Sequence, residues 1–122
     1  MTPGIGDALD REALTVAMQN DEFRYAMEGH QDIRGHVVLS EGLLALGVVF
    51  TRLATLAVTV HDDFGGGNDP APEHDFGALV VEGVPVFWRI DLYDPDLIHA
   101  PRDRTDPDQT MRVLRIMLEA ER

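Results

Sequence analysis

The sequence predicts a single α+β domain over residues 1–122, in which a small, mostly antiparallel sheet is packed by an N-terminal, a middle and a C-terminal helix. Two kinds of pattern support this fold class. Apolar residues recur at helical spacing in three separate segments, whereas two neighbouring segments alternate between apolar and polar residues, as half-buried strands do. A chain of 122 residues is also a usual length for one domain with one hydrophobic core.

The predicted N-terminal helix runs from Asp7, which can cap its start, to Glu28, and Gly29 can end it. A short strand follows at His36–Ser40, whose letters are HVVLS. The middle helix is predicted to end near Asp63. The side chains that share one face of that helix are Val49, Leu53, Leu56 and Val60. Its segment AVTV is rich in β-branched residues, so a strand there is the main alternative.

A β-hairpin is predicted at residues 74–93. Two alternating segments, His74–Val81 and Val84–Tyr93, are joined by Glu82-Gly83, a pair of residues typical of a two-residue hairpin turn. Since successive side chains of a strand point to opposite faces, one face of the second strand should form part of the core. The residues expected on that face are Val84, Val86, Trp88, Ile90 and Leu92.

The last element predicted is a C-terminal helix from Asp106 to about Glu121. Asp106 can cap its first turn, and Pro107 occupies the first helical position, where its missing N–H costs nothing. Apolar residues then recur three and four positions apart. They are Met111, Leu114 and Leu118.

Charge is the strongest global feature of the sequence. The chain has 22 acidic residues against 10 arginines, contains no lysine and carries a formal net charge of −12. Residues 62–108 hold 12 of the acids and 3 of the arginines, a net of −9. Such a field repels nucleic acid and attracts basic protein surfaces. The alternative is that the acids serve solubility and reflect only the composition of the source genome.

Several classes of protein are excluded or disfavoured. Because the chain has no cysteine, it has no disulfide, cysteine nucleophile or thiolate metal site, which fits a cytoplasmic protein. The start of the chain lacks the basic and apolar regions of a secretory signal. The longest uncharged part of the most apolar region, Gly42–Thr51, has ten residues, about half of what a membrane span needs. We expect no membrane contact and no cofactor; the oligomeric state is left open.

The polar loop before the hairpin, NDPAPEHDFG, supplies the candidate catalytic residues. Counting outward from the hairpin turn places Gly77 opposite Trp88 and His74 opposite Asp91, with Glu73 near. A histidine beside carboxylates is what general-base catalysis needs, although it also makes ordinary structural hydrogen bonds. No established metal or nucleophile motif accompanies them, so we expect no metal. The side chains that could otherwise contribute to a metal site are His74, Asp69 and Asp91.

Five segments together resemble the domain-of-unknown-function family 3768, over about residues 20–122. The segments are NDEFR (Asn20–Arg24), VVLSEGL (Val37–Leu43), HDDFGGGNDPAPEHDFG (His61–Gly77), VFWRIDLYDPDL (Val86–Leu97) and DPDQTMRVLRIML (Asp106–Leu118). The family consists of small bacterial proteins, mostly of plasmids and integrative elements, so the resemblance implies an accessory role in a mobile genetic element and no assigned activity. Arg89 stands where the family usually has lysine, and Leu92 where it often has tyrosine.

The expected function is that of a small, acidic, non-enzymatic interaction protein. It would bind a basic host or phage-encoded protein by imitating the charge of nucleic acid, as an inhibitor of a restriction or CRISPR enzyme would. The residues expected to bind are Asp62, Asp63, Asp69, Asp94, Asp96, Asp103, Asp106 and Arg89. The alternative is a small metal-assisted hydrolase or nuclease that uses His74, Asp91, Glu73 and Asp69. A regulatory or assembly protein is a third possibility.

Overall fold

The structure is a computed structural model that describes residues 5–64 and 71–122. The four strands form one sheet in the order β1-β4-β3-β2, in which β1 and β4 are parallel and the other neighbours are antiparallel. The α+β class and the mostly antiparallel sheet are thereby confirmed. The helices and strands in chain order are α1 (Ile5–Ala26), β1 (Gly35–Leu39), α2 (Glu41–Ala45), α3 (Val48–Val60), β2 (Phe76–Val81), β3 (Val84–Tyr93) and β4 (Met111–Leu118).

The hairpin formed by β2 and β3 has the predicted register. Gly77 pairs with Trp88, and Leu79 pairs with Val86. The turn residues Glu82 and Gly83 both have positive φ, at 49° and 79°, as a tight two-residue hairpin turn of this kind requires. The first strand is shorter than predicted, because β2 begins at Phe76 rather than at His74.

The predicted C-terminal helix is wrong, because Met111–Leu118 is the strand β4. Asp106 does cap a helical turn with Pro107 in it, but that turn is a 3₁₀ helix of three residues that ends before Thr110. β4 lies between β1 and β3 and hydrogen-bonds to both. Its apolar residues Met111, Leu114 and Leu118 recur three and four positions apart, and in a segment this short such spacing alone does not distinguish a strand from a helix.

The middle helical region contains two helices, α2 and α3, with the AVTV segment inside α3. The hydroxyl oxygen of Ser40 caps α2 by accepting a hydrogen bond from the N–H of Leu43 at 3.1 Å. The inner face of α3 is buried through Phe50, Ala54 and Val58. The apolar face that the sequence pattern predicted for the middle helix points to solvent instead. Its side chains are exposed at 73% for Val49, 37% for Leu53, 58% for Leu56 and 73% for Val60.

The core lies between one face of the sheet and the helices. Alternate residues of β3 and β4 enter it, together with one or two side chains from each helix. These buried residues are Phe23, Leu43, Ala54, Val58, Val86, Trp88, Ile90, Leu114 and Ile116. The other sheet face is open to solvent at Val38 and Val80, which are 44% and 68% exposed. In the part of the chain that the structure describes, no helix combines the length and the apolar character needed to cross a bilayer.

Candidate functional site: an acidic end beside a buried polar cluster

The acidic residues of the segment 62–108 converge on one end of the sheet. Since β3 is antiparallel to both β2 and β4, β3 ends where the other two begin. Of the 12 acids, Glu82 lies in the hairpin turn at the opposite end and Asp69 is outside the described residues, which leaves ten. We call these ten residues the acidic end: Asp62, Asp63, Glu73, Asp75, Asp91, Asp94, Asp96, Asp103, Asp106 and Asp108.

Several carboxylates of the acidic end organise the loop that carries them. Asp96 contacts His99 Nδ1 at 2.7 Å through Oδ2, and its Oδ1 accepts hydrogen bonds from the N–H groups of Ile98 and His99. The hydrogen bond with His99 is the main reason that the pKa of Asp96 falls to about 2. Hydrogen bonds from the hydroxyl and N–H of Thr105 likewise lower the pKa of Asp103. Both carboxylates therefore remain charged at any physiological pH.

The other predicted binding acids of the acidic end also lie at or near the surface. Asp62 and Asp63 are exposed directly after α3. Asp94 and Asp106 are partly exposed, and each accepts a hydrogen bond from the N–H two residues further along, at 3.3 and 2.9 Å. The surface of this end is therefore strongly negative, and much of its backbone is fixed by local turns.

The predicted pairing of His74 with Asp91 is wrong. The hairpin register extends as far as Asp75, whose carbonyl accepts a hydrogen bond from the N–H of Ile90 at 2.7 Å. His74 then has a φ of 54°, a left-handed conformation that breaks the alternation of the strand. Its Nδ1 lies 3.0 Å from both carboxylate oxygens of Asp21 in α1.

The ring of His74 is held on two sides. Besides its contact with Asp21, it stacks on Phe64 with the ring centroids 4.0 Å apart. A carboxylate at Nδ1 keeps the proton of a neutral ring on that nitrogen, so Nε2 is the acceptor. The arrangement is that of a positioned histidine base, assembled with an acid that the sequence analysis did not select.

The other two predicted catalytic residues, Glu73 and Asp91, line one cleft of about 290 Å³ together with Asp75 and Arg104. Both oxygens of Glu73 accept hydrogen bonds from Arg104, whose Nε also donates to Glu12 of α1 at 3.1 Å. These bonds raise the pKa of Arg104 and tie the β3–β4 connection to α1. Burial raises the pKa of Asp75, and the neighbouring carboxylates of Glu73 and Asp91 raise it further.

Asp91 connects two arginines on the open face of the sheet. Its Oδ2 accepts hydrogen bonds from Arg89 Nε at 3.1 Å and from Arg115 Nη1 at 2.7 Å. Arg89 and Arg115 are cross-strand partners, so their like charges would repel without the shared carboxylate. Arg89, predicted to bind a partner, is therefore exposed but already engaged in an ion pair.

Beside the acidic end lies a cluster that the sequence analysis did not find. We call it the buried polar cluster: Asn20, Arg24, His61, Trp88 and Arg112. Arg24 is fully buried, and its Nη1 donates to the carbonyls of Val58 at 2.7 Å and Thr59 at 3.1 Å. These carbonyls lie in the last turn of α3, where a helix lacks intrahelical donors, and that of Val58 also accepts the N–H of His61 at 3.3 Å. The guanidinium carbon also lies 5.0 Å from the centre of the Trp88 ring, a cation–π contact.

Asn20 and Arg112 join α1 to β4 within this cluster. Asn20 Oδ1 accepts from Arg112 Nε at 2.8 Å, and Asn20 Nδ2 donates to the carbonyl of Glu73 at 2.9 Å. Both side chains are fully buried. Burial lowers the pKa of Arg112 to about 10. Neutral pH lies well below this pKa, so the guanidinium stays protonated.

His61 and Trp88 complete the cluster around Gly77. The indole Nε1 of Trp88 donates to His61 Nδ1 at 3.3 Å. A Cβ atom on Gly77 would lie 2.4 Å from His61 and 2.6 Å from Trp88, so this position requires glycine. Burial lowers the pKa of His61, and the nearby charge of Arg24 lowers it further. The neutral imidazole that accepts the indole N–H is thereby favoured.

One signal in the sequence could have revealed the cluster. Asn20 and Arg24 fall on the same face of α1 as the buried residues Val16 and Phe23. A polar residue on the apolar face of a helix needs a buried partner, because an unsatisfied polar group there is costly. That argument predicts a polar cluster under α1, although it does not identify Arg112 as the partner.

The described residues offer no metal site. Within residues 5–64 and 71–122, no group of three or more histidine, aspartate or glutamate side chains is placed to hold a metal ion. His74 and Asp91 have separate partners, as described above, and Asp69, the third suggested ligand, lies outside the described residues.

Comparison with known proteins adds a family and no activity. No curated protein and no solved structure matches the chain. The sequence profile of a family described as protein of unknown function, DUF3768, matches residues 39–121. This span covers β2, β3 and β4, although the NDEFR segment of α1 precedes it. Because the match extends over more than half of the 122 residues, the chain belongs to the DUF3768 family.

Proposed function

We propose that this protein is a non-enzymatic, cytoplasmic interaction module that binds a basic protein surface through its acidic end. The observation that supports this proposal best is the convergence of ten carboxylates on one end of the sheet. Two arginines close to them, Arg24 and Arg112, are fully buried. The three arginines of the same segment, Arg89, Arg102 and Arg104, are fewer than the ten acids, so this end keeps a negative net charge. A field of this kind attracts a basic partner and accelerates its encounter.

The partner that fits this surface is an enzyme whose basic groove otherwise holds nucleic acid. Carboxylates fixed by their own turns, such as Asp96 and Asp103, stand in for phosphates. Since the turns are already formed, little conformational entropy is lost on binding. For a protein of a mobile genetic element, the role that follows is defence against a host or phage-encoded restriction or CRISPR enzyme.

The proposal is tested by capture of partners from a bacterial lysate at low and high salt, followed by kinetics with the purified partner. The decisive variant combines Asp62→Asn, Asp63→Asn and Asp108→Asn, three exposed acids of the acidic end. We expect its association rate to fall about tenfold and to depend less on salt, because steering scales with the charge of the patch.

A matched variant separates local charge from total charge. Glu22→Gln, Glu41→Gln and Glu82→Gln remove the same number of exposed acids outside the acidic end. We expect this control to leave association nearly unchanged. Duplex DNA should compete with the protein for its partner. Equal effects of both triple variants, or binding that neither salt nor DNA weakens, would overturn the proposal.

A small hydrolase or nuclease is the second candidate, and the contact of His74 with Asp21 is the observation that favours it. In this version Asp21 replaces Asp91 as the carboxylate that orients the histidine. The test is nuclease and phosphodiesterase activity with and without added Mg²⁺ or Mn²⁺, compared among wild type, His74→Gln and Asp21→Asn. Activity that both variants abolish while binding to a basic partner persists would support catalysis; no activity in the wild type would exclude it under these conditions.

A further inference from the structure

The outward face of α3 is an apolar surface on a highly acidic protein. We call its four large side chains the apolar ridge: Val49, Leu53, Leu56 and Val60. Leu56 is 58% exposed, and each valine is 73% exposed. The ridge continues at Val48, which is 82% exposed, and borders a groove of about 610 Å³ between α2 and α3. Contiguous apolar side chains of this kind mark interaction surfaces.

We propose that the apolar ridge is the interface of an antiparallel homodimer. The ridge residues are spaced by four, three and four positions, which is the pattern of a helix that packs along a second helix. When two copies of α3 run in opposite directions, Val49 of one lies level with Val60 of the other, and Leu53 lies level with Leu56. A two-fold interface requires such reciprocity, in which each residue meets its partner twice.

The composition of α3 disfavours a charged partner at this surface. Arg52 is the single charged residue among the thirteen of α3, whereas the whole chain carries −12. A basic protein would be drawn to the acidic end instead. In the antiparallel register Arg52 lies level with Ala57 of the other copy, so the two arginines do not face each other.

Charge also favours the antiparallel direction. Asp62 and Asp63 directly follow α3. In an antiparallel pair they approach the N-terminus of the other copy's α3, where the helix dipole is positive. In a parallel pair these aspartates would approach their own equivalents and repel them.

The size of the interface sets the expected strength. A helix of 13 residues is about 20 Å long, so contact along α3 alone buries less than the roughly 800 Å² per partner of a standard interface. Leu44 of α2, which is 52% exposed, lines the same groove as Leu56 and extends the surface. We therefore expect dissociation in the micromolar range rather than an obligate dimer.

Analytical ultracentrifugation at protein concentrations from about 1 to 500 μM tests the association. The wild type should shift from 13.5 kDa to twice that mass as its concentration rises. Leu56→Glu should stay monomeric at all concentrations. Val80→Glu is the control, because Val80 is 68% exposed on β2 and receives the same charge. Circular dichroism verifies that each variant is folded. A wild type that remains monomeric throughout, or dimers that Leu56→Glu does not weaken, would overturn the proposal.

Disulfide formation tests the direction, since the chain has no cysteine of its own. The double variant Val49→Cys/Val60→Cys should form covalent dimers in air, because the two positions meet across the antiparallel pair. They lie about 16 Å apart along one helix, too far to join within a chain. Val49→Cys alone should remain uncrosslinked. Rapid crosslinking of the single variant would indicate a parallel pair and contradict the proposed interface.

Discussion

The buried polar cluster and the acidic end are neighbours that use charge in opposite ways. In the cluster, Arg24 and Arg112 are fully buried. Arg24 donates to two carbonyls and to the carboxylate of Asp21, and Arg112 donates to amide oxygens. At the acidic end, carboxylates such as Asp62 and Asp96 are exposed to water. The side-chain amide of Asn20 connects the two regions through its hydrogen bond to the carbonyl of Glu73.

The difference teaches which residues hold the fold together and which are available to a partner. Arg24 Nε and Arg112 Nη1 are buried without a hydrogen-bond partner among the described residues. Removing a further partner of either guanidinium should therefore cost folding free energy. Exposed acids contribute little to stability but dominate the field outside the molecule. The two regions can therefore be separated by measuring the free energy of unfolding and partner binding on the same variants.

The largest effect is expected for Trp88→Ala in the cluster. Trp88 is fully buried, lies under the guanidinium of Arg24 and donates to His61. Emptying a large aromatic site of this kind should lower the free energy of unfolding by about 3–5 kcal/mol. Urea denaturation measures it. A loss below about 1 kcal/mol would mean that the cluster does not carry the stability assigned to it.

The second-largest loss in the free energy of unfolding is expected for Asn20→Ala. The change removes the acceptor of the buried Arg112 Nε and the donor to the part-buried carbonyl of Glu73. The expected cost is about 2–3 kcal/mol in urea denaturation. Met18→Ala is the control on the same helix, because Met18 is 57% exposed and should cost under about 0.5 kcal/mol. Similar losses for both variants would show that the helix, and not the polar contact, determines the result.

Local sequence patterns predicted the parts of the fold that local interactions determine. The turn Glu82-Gly83 and the alternation after Val84 fixed the hairpin register, because a shift by one residue would turn the apolar face of β3 to solvent. Helix α1, at Ile5–Ala26, begins and ends two residues from the predicted bounds Asp7 and Glu28, because helical spacing is also a local pattern. The element that failed, β4, depends on partners far away in the sequence. The spacing of its apolar residues fits a helix. The segment is a strand because its backbone hydrogen-bonds to β1 on one side and to β3 on the other.

The site was predicted less well than the fold, again for a physical reason. The hairpin register would place His74 opposite Asp91 only if β2 began at His74. The left-handed backbone at His74 breaks the extended conformation there, and β2 begins at Phe76. Its true partner, Asp21, comes from α1, 53 residues earlier. The acidic end could be anticipated, because most of its residues lie in loops at the ends of strands and helices. Pairings between distant segments, such as Asn20 with Arg112, carry no local pattern that would reveal them.

The titration of His61 is expected to have a smaller effect on the free energy of unfolding. Its pKa in the folded protein lies below the ordinary value of 6.5, because of burial and then the charge of Arg24. The unfolded chain therefore binds the proton more readily. The resulting contribution to stability is complete above pH 6.5 and is lost as the pH falls toward the folded-state pKa. His61→Gln, which keeps an acceptor for Trp88, should lose this part of the slope.

The measurement is urea denaturation of wild type and His61→Gln at several values between about pH 5 and 7. One proton limits the difference in slope to about 1.4 kcal/mol per pH unit. His99, whose pKa is raised by its hydrogen bond with Asp96, contributes with the opposite sign and is present in both proteins. Parallel curves would show that His61 titrates alike in the folded and unfolded states.

The smallest effect on stability is expected at the acidic end itself, for the triple variant Asp62→Asn/Asp63→Asn/Asp108→Asn. The net charge falls from −12 to −9, and these side chains are exposed. We expect the free energy of unfolding to change by less than about 0.5 kcal/mol, or to rise slightly because repulsion among the acids is relieved. Any rise should vanish in about 0.5 M salt, since screening removes the same repulsion in the wild type. A loss of about 2 kcal/mol or more, as expected for Asn20→Ala, would mean that these acids also hold the fold together. The contrast between the two regions would then fail, and weaker partner binding by this variant could no longer be attributed to charge.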